Sequence, residues 1–433
     1  MVSQILFLII AIAAIAFFSR NVRKVIRNIK LGQNLNRSDR PMKRLGIMLK
    51  VAFGQSKMAN RPVAFILHLF VYIGFVIINL EVLEIIMDGL LGTHRMFAEP
   101  LGRFYNVLIA SFEILAALVL IGVIVFYARR NLLKLKRFSG TEMGNWPRSD
   151  ANIILIVEVF LMSAFLTMNA ADYKLQQLGA SHYISAGSFP ISNYLVPLLP
   201  DSESALMMIE RFSWWFHIVG IFAFLNYLPY SKHFHIALAF PNTYYSNLEP
   251  KGEFSNMLSV SNEVKAMLDP SYTPEPVAEL GRFGARDIND LTWKNLLDAY
   301  TCTECGRCTS VCPANITGKL LSPRKIMMDT RDRLEEVGKN IDQHGKDYQD
   351  GKSLLDHYIS REEIWACTTC NACTEACPVN IDPLSIIVEL RRYAVMEESQ
   401  APSSINSMFG NVENNGAPWK YAAADRMKWA END

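Results

Sequence analysis

Cysteine is missing from the first 301 residues of this 433-residue chain and from everything after position 377. With all eight cysteines inside one short stretch, no thiol is left for a scattered disulfide framework or for chemistry elsewhere. Acidic residues are nearly absent between Arg20 and Arg61, where twelve lysines and arginines face a single acid, Asp39. The N-terminal apolar run lacks the basic flank and small-residue cleavage site of a signal peptide, so it is expected to remain as a span. Histidine is scarce, eight in all.

What is present divides the chain in two. Half of the residues are hydrophobic, concentrated in the first 240, whereas the last 190 are polar, and the net charge of +1 hides this asymmetry. Five apolar runs, near 3–19, 62–87, 105–128, 151–171 and 207–229, are long enough to cross a bilayer, which takes about 20 helical residues. Buried helices of a large soluble protein are the bland alternative; five such runs with charged flanks argue against it. Lysine and arginine crowd the first connection and the third (Arg129, Arg130, Lys134, Lys136, Arg137, Arg148), while the second holds Arg95 and Arg103 and the fourth Lys174. Basic loops stay in the cytoplasm. The N-terminus is therefore expected outside, and the polar half on the cytoplasmic side.

The eight cysteines form two copies of C-x2-C-x2-C-x3-C-P: Cys302, Cys305, Cys308, Cys312 and Cys367, Cys370, Cys373, Cys377. This spacing holds cubane iron–sulfur clusters, with the fourth cysteine of each run reaching the other cluster. On that rule Cys302, Cys305, Cys308 and Cys377 hold one [4Fe–4S] cluster, and Cys367, Cys370, Cys373 and Cys312 the second. Structural zinc uses ligand pairs with longer spacers, and disulfides need an oxidising compartment.

The motifs belong to an internal repeat with an offset of 65 residues, which also maps Asn315 on Asn380 and Ile316 on Ile381. Ser322-Pro323 and Asp382-Pro383 read as caps with proline in the first helical position. The expected helices are 291–300, 325–337, 354–359 and 384–393. Residues of about 236 to 285, rich in proline, asparagine and serine, read as extended chain. Beyond about Ser399 lies a polar tail with Trp419 and Trp429, a candidate docking segment.

Histidine inside lipid is costly and usually functional. The second span carries His68, the fifth His217, and His233 and His235 follow it. An inter-helix hydrogen bond is the bland reading; bis-imidazole ligation of a b-type haem in the bundle core is the functional one. On a continuous helix His217 and His235, 18 residues apart, share one face, and His233 points away, although Pro229 lies between. Glu81, Glu84, Glu113 and Glu158 are candidate proton acceptors for a quinone, with no ground for choosing among them.

These motifs carry a resemblance. Residues of about 285 to 398 look like the helical ferredoxin of heterodisulfide reductases, of the anaerobic glycerol-3-phosphate dehydrogenase small subunit and of succinate dehydrogenase iron–sulfur subunits. The matching features are Cys-Pro-Ala-Asn-Ile, Cys-Pro-Val-Asn-Ile and the proline-started helices. Residues 1 to about 240 resemble the nitrate reductase gamma subunit, whose histidine pattern His68, His217 and His235 fit; Met58 stands where that pattern has a fourth. The resemblance implies one haem b on His68 and His217, with a second on His235 lacking its usual partner. The whole is similar to membrane-bound heterodisulfide-reductase-like proteins, including electron transfer flavoprotein:menaquinone oxidoreductases. Those continue into a CCG-repeat domain, so a separate CCG-domain iron–sulfur protein, a flavoprotein or a dehydrogenase is the expected partner.

The expectation is an all-α chain with four parts. A five-span membrane domain covers 1–240, a linker 241–284, a cytoplasmic dicluster ferredoxin 285–398 and a polar tail 399–433. It would sit in a prokaryotic cytoplasmic membrane, bind no nucleic acid, and pass electrons between a cytoplasmic partner and the quinone pool. The rival is a membrane anchor and wiring module without its own quinone site. No catalytic residue is assigned.

Overall fold

A computed structural model describes residues 1–276, 281–420 and 422–431. Every regular element among them is helical; the only strand-like pairings are two isolated bridges, Gln33 with Thr292 and Leu355 with Ile359. Five helices are long and apolar enough to cross a membrane: α1 (Val2–Ile29), α2 (Pro62–Leu91), α3 (Arg103–Asn131), α4 (Asn145–Leu178) and α5 (Glu203–Tyr227), the last extended by a 3-10 turn to Tyr230. They mark a membrane protein.

The chain forms two compact units. The first holds Met1–Arg27, Arg40–Ser246 and Tyr300–Gly306; the second holds Asn28–Asp39, Asn247–Ala299 and Arg307–Asp433.

In the first unit α2 packs on α3, α3 on α4 and α4 on α5. Lipid tails give apolar helices no hydrophobic reason to associate, so close backbone approach at small residues does much of the work. A Cβ on Gly74 of α2 would lie 2.4 Å from Val119 of α3, and one on Gly220 of α5 would lie 2.7 Å from Leu161 of α4. α1 is held through Phe7, whose ring stacks obliquely on Trp214 and Phe222 of α5 at 5.7 and 6.0 Å. The core of this bundle (Ile109, Phe112, Ala116, Phe165, Ile218) is fully shielded.

The fifth span does not continue to His235. Leu228–Tyr230 tightens into a 3-10 turn at Pro229, Ser231 is extended (φ −116°, ψ 149°), and a new helix, α6 (His235–Tyr244), begins after a second 3-10 turn. Proline cannot donate into the ladder, so the helix breaks where the ring sits. The shared-face geometry expected of His217 and His235 is therefore not realised. The expected extended linker is also corrected. It contains α6 and α7 (Leu258–Leu268), while its residues 277–280 lie outside the described chain.

In the second unit, the strip after α1 is tied to the approach of α8 (Trp293–Thr301): Gln33 N–H donates to Leu291 O at 2.7 Å and Trp293 Nε1–H to Leu35 O at 2.9 Å. Then come α9 (Arg307–Ser310), α10 (Pro323–His344), α11 (Ala372–Ala376) and α12 (Pro383–Met396). Ser322 accepts from Lys325 N–H, and Asp382 from Leu384 and Ser385 N–H, so both expected caps form. The expected helix at 354–359 does not: Leu355 is extended (ψ 137°) and Asp356 left-handed (φ 74°). The polar tail carries a helix, α13 (Ser403–Asn415). Trp419 and Trp429 are exposed; Tyr421, Asn432 and Asp433 of the expected docking tail lie outside the described residues.

Candidate functional site

All eight cysteines are free thiols, with Cys302, Cys312, Cys373 and Cys377 buried. Cys302 and Cys305 fall in the first unit and the other six in the second. Within the second unit α9 packs on α11, which brings the two motifs together. Burial pushes the Cys367 thiol up, and the neighbouring Cys312 and Cys370 add to the effect. Burial likewise pushes Cys373 up to about 12, with Asp382 and then Cys367 contributing. Cys312, Cys370 and Cys373, the other three cysteines assigned to the second cluster, thus lie around Cys367, and iron binding would release their protons. Backbone N–H groups already point at sulfur: Thr369 N–H at Cys367 Sγ (3.4 Å) and Ile381 N–H at Cys377 Sγ (3.3 Å). Such bonds stabilise cluster thiolates and tune their potentials. Arg391 Nε holds the approach to Cys367 by donating to Ile364 O at 2.9 Å.

Among the described residues no three His, Cys, Asp or Glu side chains converge as one metal ion would require. A cubane spreads its four thiolates around a cage wider than a single zinc, whose Zn–S bonds are about 2.3 Å. Eight free thiols in two C-x2-C-x2-C-x3-C-P runs, with backbone N–H groups aimed at sulfur, fit [4Fe–4S] clusters.

The three candidate haem histidines share one feature. His68 Nδ1 donates to Gln55 Oε1 (3.1 Å), His217 Nδ1 to Leu161 O (3.0 Å) and His235 Nδ1 to Lys232 O (3.0 Å). A carbonyl oxygen can only accept, so each pairing puts the proton on Nδ1, the tautomer in which metal-bound histidines are usually arranged. The residues fit the group. His217 is fully buried on α5, while His68 and His235 are half-buried. His233, expected to point away, instead lies with its ring 5.6 Å from that of His235, because the chain breaks at Pro229. Burial pushes His233 down to about 3, and both His235 and His68 oppose its protonation. The structure thus brings His233 and His235 together, with His68 close enough for its charge to be felt at His233.

The intramembrane acids separate by environment. Glu113 accepts from Asn169 Nδ2 (3.2 Å) and from Ile191 and Ser192 N–H (2.9 and 3.1 Å), a structural clamp. Glu84 accepts from Phe97 N–H and the Tyr105 hydroxyl, each at 2.8 Å. Glu158 is half-buried on α4. Glu81 differs, being 3% exposed with Oε2 unpartnered. It lines a cavity of about 180 Å³ together with Phe7, His94, Arg95 and Trp214. His94 Nε2 lies 3.3 Å from Asp172 Oδ2, and its Nδ1 is also unpartnered. Two residues that each carry an unpartnered polar atom therefore line one cavity. Sequence reading missed His94 because it stands in a connection and not in a span.

Residues 301–381 match the 4Fe-4S dicluster domain. Over 99% of its length the chain is 29% identical to a probable iron-sulfur-binding oxidoreductase, FadF, of Bacillus subtilis, covering 61% of that protein. Over 92% of its length it is 28% identical to the EtfAB:quinone oxidoreductase of Syntrophomonas wolfei, covering 55%. Over 24% of its length it is 35% identical to one component of a ferredoxin/F420H2-dependent CoB-CoM heterodisulfide reductase of Methanosarcina acetivorans, covering 52% of that component. No solved structure matches. The chain is an iron–sulfur protein that binds [4Fe–4S] clusters. More particularly, its homologues are FadF-type and EtfAB:quinone oxidoreductases and iron–sulfur components of heterodisulfide reductases, and it spans 61% and 55% of the first two.

Proposed function

We propose that the chain carries electrons between a cytoplasmic redox partner and the quinone pool, through two [4Fe–4S] clusters and haem b. The observation that carries the haem step is His217: fully shielded, held by Leu161 O and keeping Nε2 free. It lies one helical turn from Trp214, which lines the cavity with Glu81 and His94. A haem held by His217 would thus stand behind a wall of the cavity that Glu81 and His94 also line, the combination quinone reduction needs. A quinone in the cavity takes two electrons, and Glu81 and His94 each supply one proton to its oxygens. Trp214 and Phe7 give the ring an apolar face.

The clusters are assigned to Cys302, Cys305, Cys308 and Cys377, and to Cys367, Cys370, Cys373 and Cys312. Bound there, they relay single electrons, while the chain fixes their spacing and potentials. Haem b is assigned to His68 with His217, and His235 is held for a second. The electron donor is a flavoprotein of the electron-transfer type or a CCG-domain iron–sulfur protein on the cytoplasmic face, since a relative is named for EtfAB and quinone. The basic first and third connections support the inner-face placement of the clusters.

The test is anaerobic. Dithionite-reduced protein should show a b-type α-band, and both haem and clusters should reoxidise when a menaquinone analogue is added. A haem-replete preparation that ignores the analogue would leave only the anchor-and-wiring reading.

A further inference from the structure

Lys232 follows the fifth span, and Glu304 stands between Cys302 and Cys305; both lie in the first unit. Their side chains form an ion pair almost closed to solvent, 8% and 2% exposed. Lys232 Nζ also donates to Pro147 O at 2.6 Å and sits 3.7 Å from Asp150 Oδ2. Asp150 in turn accepts from Ser231 Oγ (2.6 Å) and from Lys232 N–H (3.2 Å), so the lysine is fixed at both ends. Its carbonyl accepts Nδ1–H of His235 at 3.0 Å. One residue therefore touches the cysteine loop through its ammonium and a candidate haem ligand through its carbonyl.

The internal repeat supplies a control. Glu304 aligns with Thr369, and both are left-handed, with φ of 55° and 54°. The turn needs that backbone in both copies, and neither side chain favours it. Loop geometry thus explains the conformation of Glu304 but not its carboxylate. In the second copy the Thr369 hydroxyl merely meets Thr368 O at 2.8 Å. The buried charge belongs to the first motif alone, opposite a lysine brought from 72 residues away.

We propose that Lys232 is a positioning residue: through Glu304 it seats the Cys302–Cys305 loop beside the His235 end of the membrane bundle and balances the charge next to the first cluster, setting that cluster's reduction potential. The proposal rests on the cluster assignment above. Removing either member of the pair changes the net charge beside the first motif by one unit, and a charge in a poorly screened site acts strongly on a nearby redox centre.

The test is EPR-monitored potentiometry on the full chain, with the haem followed optically. The second cluster's signal is identified by its loss in Cys373→Ser. In Lys232→Met a positive charge is lost and the site becomes more negative, which opposes the added electron, so the reduced-to-oxidised ratio of the first cluster at fixed potential should fall about tenfold, which is ~59 mV for one electron. Glu304→Gln should raise it by a similar factor. The double variant should return close to the unaltered chain, and Lys232→Arg should hold it. The second cluster should not move.

Shifts of one sign in both single variants, equal shifts in both clusters, or no shift with full signals would overturn the proposal. If Lys232→Met fails to accumulate, the near-isosteric Glu304→Gln decides by its sign. Absence of both cluster signals from the unaltered chain would instead overturn the cluster assignment, and this proposal with it.

Discussion

Arg95 and Asp172 form a buried ion pair, Nη2 to Oδ2 at 2.6 Å, between the connection after α2 and the end of α4. The same guanidinium donates to the Tyr105 hydroxyl at 3.1 Å and to Asn169 Oδ1 at 3.1 Å, so one side chain ties three elements together. Arg95→Met leaves Asp172 buried without its countercharge. Breaking such a pair costs roughly 3–5 kcal/mol, because the abandoned charge keeps its desolvation penalty. The expected outcome is a marked fall in the melting temperature of the detergent-solubilised protein. A conservative Arg95→Lys should recover only part of it, since lysine cannot hold the three partners as a planar fork does.

His217 gives the sharpest test of the haem assignment. Its ring sits 5.8 Å from Phe165 in a fully shielded position, so His217→Ala opens a hole in the bundle as well as removing a ligand. His217→Met and His68→Met separate the two effects, because methionine fills space and can ligate iron weakly. Both should lower the b-type absorbance and shift its α-band while the cluster signals persist. If haem content is unchanged in both, the pairing of His68 with His217 is wrong.

The spans were legible because an apolar run of that length has few alternatives, and the caps at Ser322 and Asp382 because a side-chain oxygen followed by proline is a local signal. Phase arguments across Pro229 failed for an equally local reason. Counting 100° per residue from His217 to His235 assumes a ladder that a proline ring interrupts. Leu354–Ile359 misled differently: its apolar residues suit a helix, but Ser353 and Asp356 bend the chain into a tight turn closed by the Leu355–Ile359 bridge. The pairing of Lys232 with Glu304 and the meeting of Glu81 with His94 left no trace in sequence. Contacts between side chains of different elements are made by packing, not by pattern.

Gly284 anchors the start of the ferredoxin region. Its φ is +68°, and a Cβ there would lie 2.3 Å from Glu389 O and 2.4 Å from Tyr393 N, both on α12. Neither atom can yield, since both are backbone. Gly284→Ala therefore costs about 1–2 kcal/mol for the left-handed conformation alone, plus displacement of α12. The second unit should become protease-sensitive and lose iron on gel filtration, while the b-type haem spectrum is retained. Retention of full iron and unchanged proteolysis would show that α12 can shift without consequence for the cysteines.

Glu81 and His94 should act on quinone and not on stability. Glu81→Gln keeps the shape and removes the proton; His94→Phe keeps a ring and removes the exchange at Nδ1. A positioned acid or base contributes about 10²–10⁴-fold to a proton-transfer step, so reoxidation of reduced protein by a menaquinone analogue should slow by at least the lower figure in either variant. Electron arrival is untouched, so the haem should reduce at the normal rate and then stay reduced. That split matters. A variant that merely loosened the bundle would slow haem reduction too, whereas loss of a proton donor stalls only the last transfer. Restoring part of the rate at lower pH, where solvent supplies the proton, would place the defect at the quinone oxygens. Equal slowing of haem reduction and quinone turnover would remove Glu81 and His94 from the reaction.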